Sequence, residues 1–133
     1  MALPSPTGRP GFAEGARLHN EGLHYEAHEA WEELWHEETD DERRLFLQGL
    51  IQVTSAFHKV FFQKMPGGAQ RLLARGLMKL EPYPDAYLGV ALGSFRTGAR
   101  ACAARLLEME KRGEPVDAFE RGLVPRLELI SRE

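Results

Sequence analysis

The 133-residue sequence contains a single cysteine, Cys102, so no disulfide can form within the chain. No apolar run approaches the roughly 18 residues that a membrane helix needs. The first ten residues have neither the basic start nor the apolar stretch of a signal peptide. These absences predict a cytoplasmic protein that has no membrane partner.

An excess of positive charge is also absent, because the formal net charge is −3. Proteins that bind nucleic acid usually present a basic face to the phosphates. The predicted second helix instead carries six glutamates, which would repel phosphate groups. We therefore expect no nucleic-acid partner. The glutamates are Glu26, Glu29, Glu32, Glu33, Glu37 and Glu38.

Apolar residues recur at the helical spacing of three and four along most of the chain, and turn-forming residues separate the stretches. The pattern predicts an all-α fold, a compact bundle of about five helices with short loops. Three prolines predict a flexible N-terminal arm over 1–10, followed by a single helical domain over 11–133. An apolar segment over 123–130 is expected to dock on the bundle. The predicted helices span 12–20, 23–38, 41–64, 69–80 and 86–112, with a further short helix over 115–122.

The third predicted helix is apolar almost all round, which is typical of the buried centre of a domain. One narrow polar line crosses it, formed by Gln48, Gln52, Ser55 and Lys59 at steps of four, three and four. Buried amides need hydrogen-bond partners. The line is therefore expected to face water or other polar groups.

Residues 28–35 read His-Glu-Ala-Trp-Glu-Glu-Leu-Trp and predict a functional site on the second helix. His28 and Glu32 lie one turn apart, a spacing at which two side chains can hold one divalent metal ion. A complete metal site needs a third ligand, which the spacing does not identify. His28 with Glu29 or Glu32 could instead transfer protons. No activated serine or cysteine accompanies them, so covalent catalysis is not expected.

The same edge of the second helix could face the polar line of the third helix. A polar site would then lie between the two helices, with Gln48 and Gln52 on one side and Trp31 and Trp35 as apolar walls. A closed polar network that only fixes helix register has the same composition. Among the other histidines, we expect His19 and His36 to be solvated near helix ends, and His24 and His58 to be core residues.

The motif blocks Asn20-Glu21-Gly22, Tyr25-Glu26-Ala27-His28-Glu29 and Leu47-Gln48-Gly49-Leu50-Ile51-Gln52, with Gly67-Gly68-Ala69, resemble the DUF309 family of small helical proteins. The resemblance covers about 17–80. It implies an all-α fold in which the motif residues gather in one place, and it implies no established activity. One departure is His24, where the family tends to carry an aromatic residue. The motif residues carried over are His28, Glu29, Glu32, Trp35, Gln48, Gly49 and Gln52.

Three hypotheses of function follow from these patterns. The first is a domain that binds a small molecule or a metal ion at the His/Glu/Gln site. The second is a hydrolase-type enzyme that uses His28 with Glu29 or Glu32 for proton transfer or metal-assisted hydrolysis. The third is a structural protein whose motif only locks helix packing and whose apolar tail supports a homo-oligomer.

Overall fold

The computed structural model describes residues 5–130 and confirms the all-α prediction. Five α-helices and one short antiparallel hairpin make up its regular structure. None of the helices in this part of the chain is both long and apolar enough to cross a bilayer. The helices are α1 (Pro10–Asn20), α2 (His24–Glu37), α3 (Asp41–His58), α4 (Pro66–Leu80) and α5 (Leu92–Arg112), and the strands are β1 (Ala86–Tyr87) and β2 (Val90–Ala91).

Local signals explain several of the helix ends. Pro10 and Pro66 begin α1 and α4, at the position where the missing N–H of proline costs nothing. The carboxylate of Asp40 caps α3 by accepting a hydrogen bond of 2.9 Å from the backbone N–H of Arg43. Gly113 ends α5 in the left-handed conformation, with φ of 65°.

The third predicted helix is continuous in the chain but changes geometry near its end. After His58, the backbone continues as a π-helical turn over Lys59–Gln63. Lys64 ends this turn at a φ of 53°, in the left-handed region. Single π-helical turns are rare and occur frequently at functional sites.

The centre of the fold is α3, which packs against α2 on one side and α4 on the other. Two glycines let α3 and α4 approach closely. A Cβ on Gly49 would lie 2.7 Å from the Leu80 side chain, and one on Gly76 would lie 2.9 Å from the Gly49 carbonyl oxygen. The fully buried side chains of α3 confirm its predicted central position; they include Phe46, Leu47, Leu50, Val53 and Phe57.

The predicted fifth helix is wrong over its first six residues, which form the β1–β2 hairpin instead. Leu88 and Gly89 turn the chain with φ values of 49° and 80°, so the backbone leaves the helical region there. The segment after α5 contains two 3-10 turns, Val116–Ala118 and Arg121–Leu123, rather than one short α-helix.

The C-terminal segment docks on the bundle, as expected. Ala91 N–H donates to the Glu128 carbonyl at 3.0 Å, so this segment extends the hairpin. Asn20 holds it from the other side: its Nδ2 donates to the Leu127 carbonyl at 3.1 Å, and its Oδ1 accepts from the Leu127 N–H at 2.8 Å. Leu127 is 1% exposed as a result.

Part of the predicted N-terminal arm, residues 1–4, lies outside the described residues. The rest contains a 3-10 turn over Pro6–Gly8, and α1 begins at Pro10. The Thr7 hydroxyl donates to the Leu88 carbonyl at 2.6 Å, so this part of the arm contacts the hairpin.

Candidate functional site

The predicted motif forms a row of ionisable side chains along α2. His28 Nε2 lies 2.8 Å from Glu32 Oε2, and His36 Nε2 lies 3.6 Å from the other carboxylate oxygen of Glu32. All three residues belong to one helix at i, i+4 spacing, so the contacts join no two helices. The side chains become more exposed along the row, from 27% for His28 to 64% for His36.

A cavity of about 160 Å³ lies beside His28, between α2 and the end of α3. The ring of Tyr25 lies close to both histidines of this cavity, with its centroid 5.7 Å from that of His28 and 5.3 Å from that of His58. The Lys59 ammonium group donates to Gln63 Oε1 at 3.2 Å within the π-helical turn. Among residues 5–130, one cation and no carboxylate line this cavity. The complete lining is Tyr25, His28, Ser55, His58, Lys59 and Gln63.

His58 is not the fully satisfied core histidine that we expected. Its ring stacks on Phe62 with a centroid separation of 5.1 Å. Its Nδ1 atom is enclosed by protein and has no hydrogen-bond partner among residues 5–130. A buried polar atom without a partner is an exception in native proteins and often belongs to a site with a function.

The polar line of α3 divides between its two neighbouring helices. Ser55 and Lys59 border the cavity beside His28. Gln52 instead accepts a hydrogen bond of 2.9 Å from Lys79 on α4. Within the described part of the chain, neither Gln48 nor Gln52 hydrogen-bonds to the His28–Glu32 pair, so the closed network that would lock α2 to α3 is not formed.

The two tryptophans of the motif do not line this cavity either. Trp31 is fully buried between α1 and α2, where its indole N–H donates to the Phe12 carbonyl at 3.2 Å. The guanidinium of Arg44 lies 4.1 Å from the ring centroid of Trp35 and also donates to the Trp35 carbonyl at 2.7 Å. Packing accounts for both residues. Glu29 is exposed on the outer face of α2.

Between residues 5 and 130, no three histidine, cysteine, aspartate or glutamate side chains come together in a geometry that could hold an ion. The His28–Glu32 pair supplies two ligands, whereas protein zinc sites use three or four.

A second arrangement of histidines lies deeper in the bundle, and sequence reasoning missed it. His19 was expected to be solvated, but this prediction is wrong: both His19 and His24 are 1% exposed. Their Nδ1 atoms lie 3.0 Å and 3.2 Å from the same hydroxyl oxygen, Oγ1 of Thr54 on α3. His19 Nε2 lies 2.8 Å from the Pro125 carbonyl oxygen. This last contact spans 106 residues, so no local pattern could reveal it.

Burial changes the acid–base behaviour of both histidines. Desolvation, opposed in part by the bond to the Pro125 carbonyl and assisted by the charge of Arg126, lowers the pKa of His19 to about 4. Desolvation likewise lowers the pKa of His24 to about 3, with smaller Coulombic contributions from His19, Arg121 and His58. Both rings are therefore neutral at pH 7.

The family model described as "Domain of unknown function (DUF309)" matches residues 12–72, from α1 into the first half of α4. The similarity to DUF309 thus covers just under half of the chain. The DUF309 match includes the His28 cavity and the three side chains His19, His24 and Thr54. Pro125 lies outside the match. No curated protein matches the chain.

Proposed function

We propose that this protein binds a small oxyanion, a carboxylate or a phosphate, in the cavity beside His28. The composition of the lining carries the proposal: among the described residues, the lining includes one lysine, two histidines and two side chains with hydroxyls, and no acidic residue. Such donors match the acceptor oxygens of an anion. Pockets for drug-sized ligands span roughly 300–1,000 Å³, so a cavity of about 160 Å³ suits a smaller molecule.

The contacts around His28 suggest how the anion would be held. Oε2 of Glu32 lies 2.8 Å from Nε2 of His28, within ion-pair distance of a protonated ring. A protonated His28 then has one further donor, Nδ1, for the ligand. Lys59 contributes a full positive charge, and Ser55 contributes a hydroxyl that can donate. The π-helical turn places the Lys59 side chain at the cavity.

Two observations favour an oxyanion over the other predicted functions. The His28–Glu32 pair offers two metal ligands, which is one fewer than a catalytic zinc site uses. The pair lies within one helix, and Gln52 bonds to α4, so the motif does not hold α2 against α3.

The proposal is tested by titrating phosphate and acetate separately into the protein while recording the imidazole NMR signals. We expect saturable shifts of the His28 and His58 signals with at least one of the two anions. The variants His28→Asn and Lys59→Met should each weaken binding about tenfold, the loss expected when a charge-assisted hydrogen bond is removed.

His36→Gln is the matched control for this experiment. His36 contacts the same Glu32 carboxylate but does not line the cavity, so this variant should leave the affinity unchanged within about twofold. The proposal is wrong if neither anion gives a saturable shift, or if His36→Gln weakens binding as much as His28→Asn does.

We also propose a cytoplasmic location. The support is the one cysteine, Cys102, which is a free and fully buried thiol. A reducing compartment is where unpaired cysteines are ordinarily found. Fractionation of cells that produce the protein would test this, and recovery in the secreted fraction would contradict it.

A further inference from the structure

Donors and acceptors in the hydrogen bonds around Thr54 can be assigned in only one consistent way. A carbonyl oxygen can only accept, so His19 must carry its proton on Nε2 to bond with Pro125. A neutral His19 then has a bare Nδ1, which needs a donor, and the Thr54 hydroxyl is the group in contact with it at 3.0 Å. Thr54 has a single hydroxyl proton, and this bond uses it.

This assignment fixes the protonation of His24 as well. With its proton directed at His19, Thr54 Oγ1 can only accept from His24, whose Nδ1 lies 3.2 Å away. His24 Nδ1 therefore carries the proton. Since the ring is neutral, its Nε2 is bare and can act only as a hydrogen-bond acceptor.

The bare Nε2 of His24 has no hydrogen-bond partner among the described residues. His24 is 1% exposed, yet Nε2 is not among the atoms that protein encloses completely. The ring lines a second cavity of about 240 Å³, between the α1–α2 turn and the C-terminal segment. This side chain is thus almost wholly buried, with one unsatisfied acceptor at a cavity.

A cation also borders this second cavity. The guanidinium of Arg121 lies 4.0 Å from the ring centroid of Phe61, and the same ring stacks on His24 at 5.9 Å. No carboxylate pairs with Arg121 in the part of the chain that the structure describes. The other charged groups at the cavity are engaged, since Arg126 pairs with Glu128 at 2.9 Å and Glu21 pairs with Arg17.

We propose that the second cavity binds a small hydroxy acid, whose hydroxyl donates to His24 Nε2 and whose carboxylate pairs with Arg121. The two available protein groups are an acceptor and a cation, and a hydroxy acid offers the complementary donor and anion. Phe61, Val124 and Pro125 supply apolar surface for its carbon atoms. This site is separate from the oxyanion cavity beside His28 and does not depend on it.

Three probes of similar size test the two contacts separately. Lactate carries both groups, propanoate lacks the hydroxyl, and 1,2-propanediol lacks the carboxylate. Binding is followed on the side-chain NMR signals of His24, Phe61 and Arg121, so that anions bound beside His28 are recorded apart, on the His28 signal. We expect lactate to bind about tenfold more tightly than either other probe, which corresponds to one hydrogen bond or ion pair.

Two variants identify the contact that each protein group makes. His24→Asn keeps a donor for Thr54 but removes the Nε2 acceptor. Lactate should therefore bind about tenfold more weakly, while the affinity for propanoate stays unchanged. Arg121→Gln should lower the affinities for lactate and for propanoate by the same factor. The matched control is Arg126→Gln, because Arg126 lines the cavity but is paired with Glu128, and it should change binding less than twofold.

The tautomers can be read without any variant, from the nitrogen chemical shifts of the ¹⁵N-labelled protein. We expect His24 to be protonated at Nδ1 and His19 at Nε2. The proposal is overturned if His24 is protonated at Nε2, or if lactate causes no saturable shift of the His24 signal. It is also overturned if His24→Asn lowers the affinities for lactate and propanoate equally. A loss of oxyanion binding beside His28 would leave these results unaffected.

Discussion

The molecule twice places two histidines around one oxygen-bearing side chain, once at the surface and once in the core. On α2, His28 and His36 flank the Glu32 carboxylate at 2.8 Å and 3.6 Å, within one helix and in contact with solvent. In the core, His19 of α1 and His24 of α2 flank the Thr54 hydroxyl of α3 at 3.0 Å and 3.2 Å. A carboxylate can accept from both partners at once, whereas a hydroxyl has one proton to give. The buried arrangement therefore has a fixed direction that the exposed one lacks.

The largest expected difference between the two arrangements is their effect on stability at mildly acidic pH. The histidines of the unfolded chain bind protons near pH 6.5, but buried His19 and His24 do so only near pH 4 and 3. The unfolded state thus binds more protons throughout this window. The free energy of unfolding should decrease as pH falls from about 6.5 toward 4, by up to about 1.4 kcal/mol per pH unit for each histidine.

Urea unfolding at pH 7, 6 and 5 measures this dependence. Arg121, Arg126 and the neighbouring His58 all lie close enough to oppose protonation of the buried pair, so the loss should persist across the window. His24→Asn should remove about half of the slope, and His36→Gln should not change it. Stability that is constant between pH 7 and 5 would contradict the buried, neutral state of both rings.

The next largest effect is expected from the hydroxyl itself. Thr54→Val has nearly the same shape but leaves two buried ring nitrogens without a partner, each at a cost of about 1–3 kcal/mol. We expect the free energy of unfolding to fall by roughly 2–4 kcal/mol in chemical denaturation. Ser55→Ala, one residue further along α3 but at the His28 cavity, is the control and should change stability by less than about 0.5 kcal/mol. If both substitutions lower the free energy of unfolding equally, the proposed role of the Thr54 hydroxyl is wrong.

The smallest effect concerns the exposed arrangement. Glu32→Gln removes the charge that both α2 histidines contact, yet its side chain is 43% exposed and water competes for the same groups. Ion pairs at such positions contribute less than about 1 kcal/mol and are weakened by salt. We expect a loss of that size at low ionic strength, which 0.5 M salt should abolish; a salt-independent loss of several kcal/mol would mean that the row is structural.

The fold could be predicted from the sequence wherever it is determined by interactions between residues close in the chain. Helical periodicity and capping residues such as Asp40 act over three or four residues, so the five helices were predicted, with the largest error at the start of the fifth. The hairpin was missed because its strands have two residues each, too few for an alternating pattern to appear. The turn residue Leu88 also adopts a left-handed φ that leucine rarely takes.

The candidate site was harder to predict, because it depends on which way each side chain points around its helix and on contacts between residues distant in sequence. Gln52 and Ser55 differ by about 60° around α3, at 100° per residue, which is enough to direct one toward α4 and the other toward α2. The buried histidines depend on Pro125, which no spacing relates to His19. The motif therefore could not indicate that Gln52 bonds to Lys79 on α4, while Ser55 lies at the cavity beside His28.

The contact between His19 and Pro125 also has a consequence in time. Translation adds roughly 5–20 residues per second, so the 106 residues between them take on the order of 5–20 seconds to synthesise. Within that interval α1, α2 and α3 are completed well before Pro125 is made, and until then the His19 N–H has no Pro125 carbonyl to bond. In the nascent chain, the imidazoles of His19 and His24 are therefore still accessible to water and protons. This access ends when the segment around Pro125 has been made and packs against them.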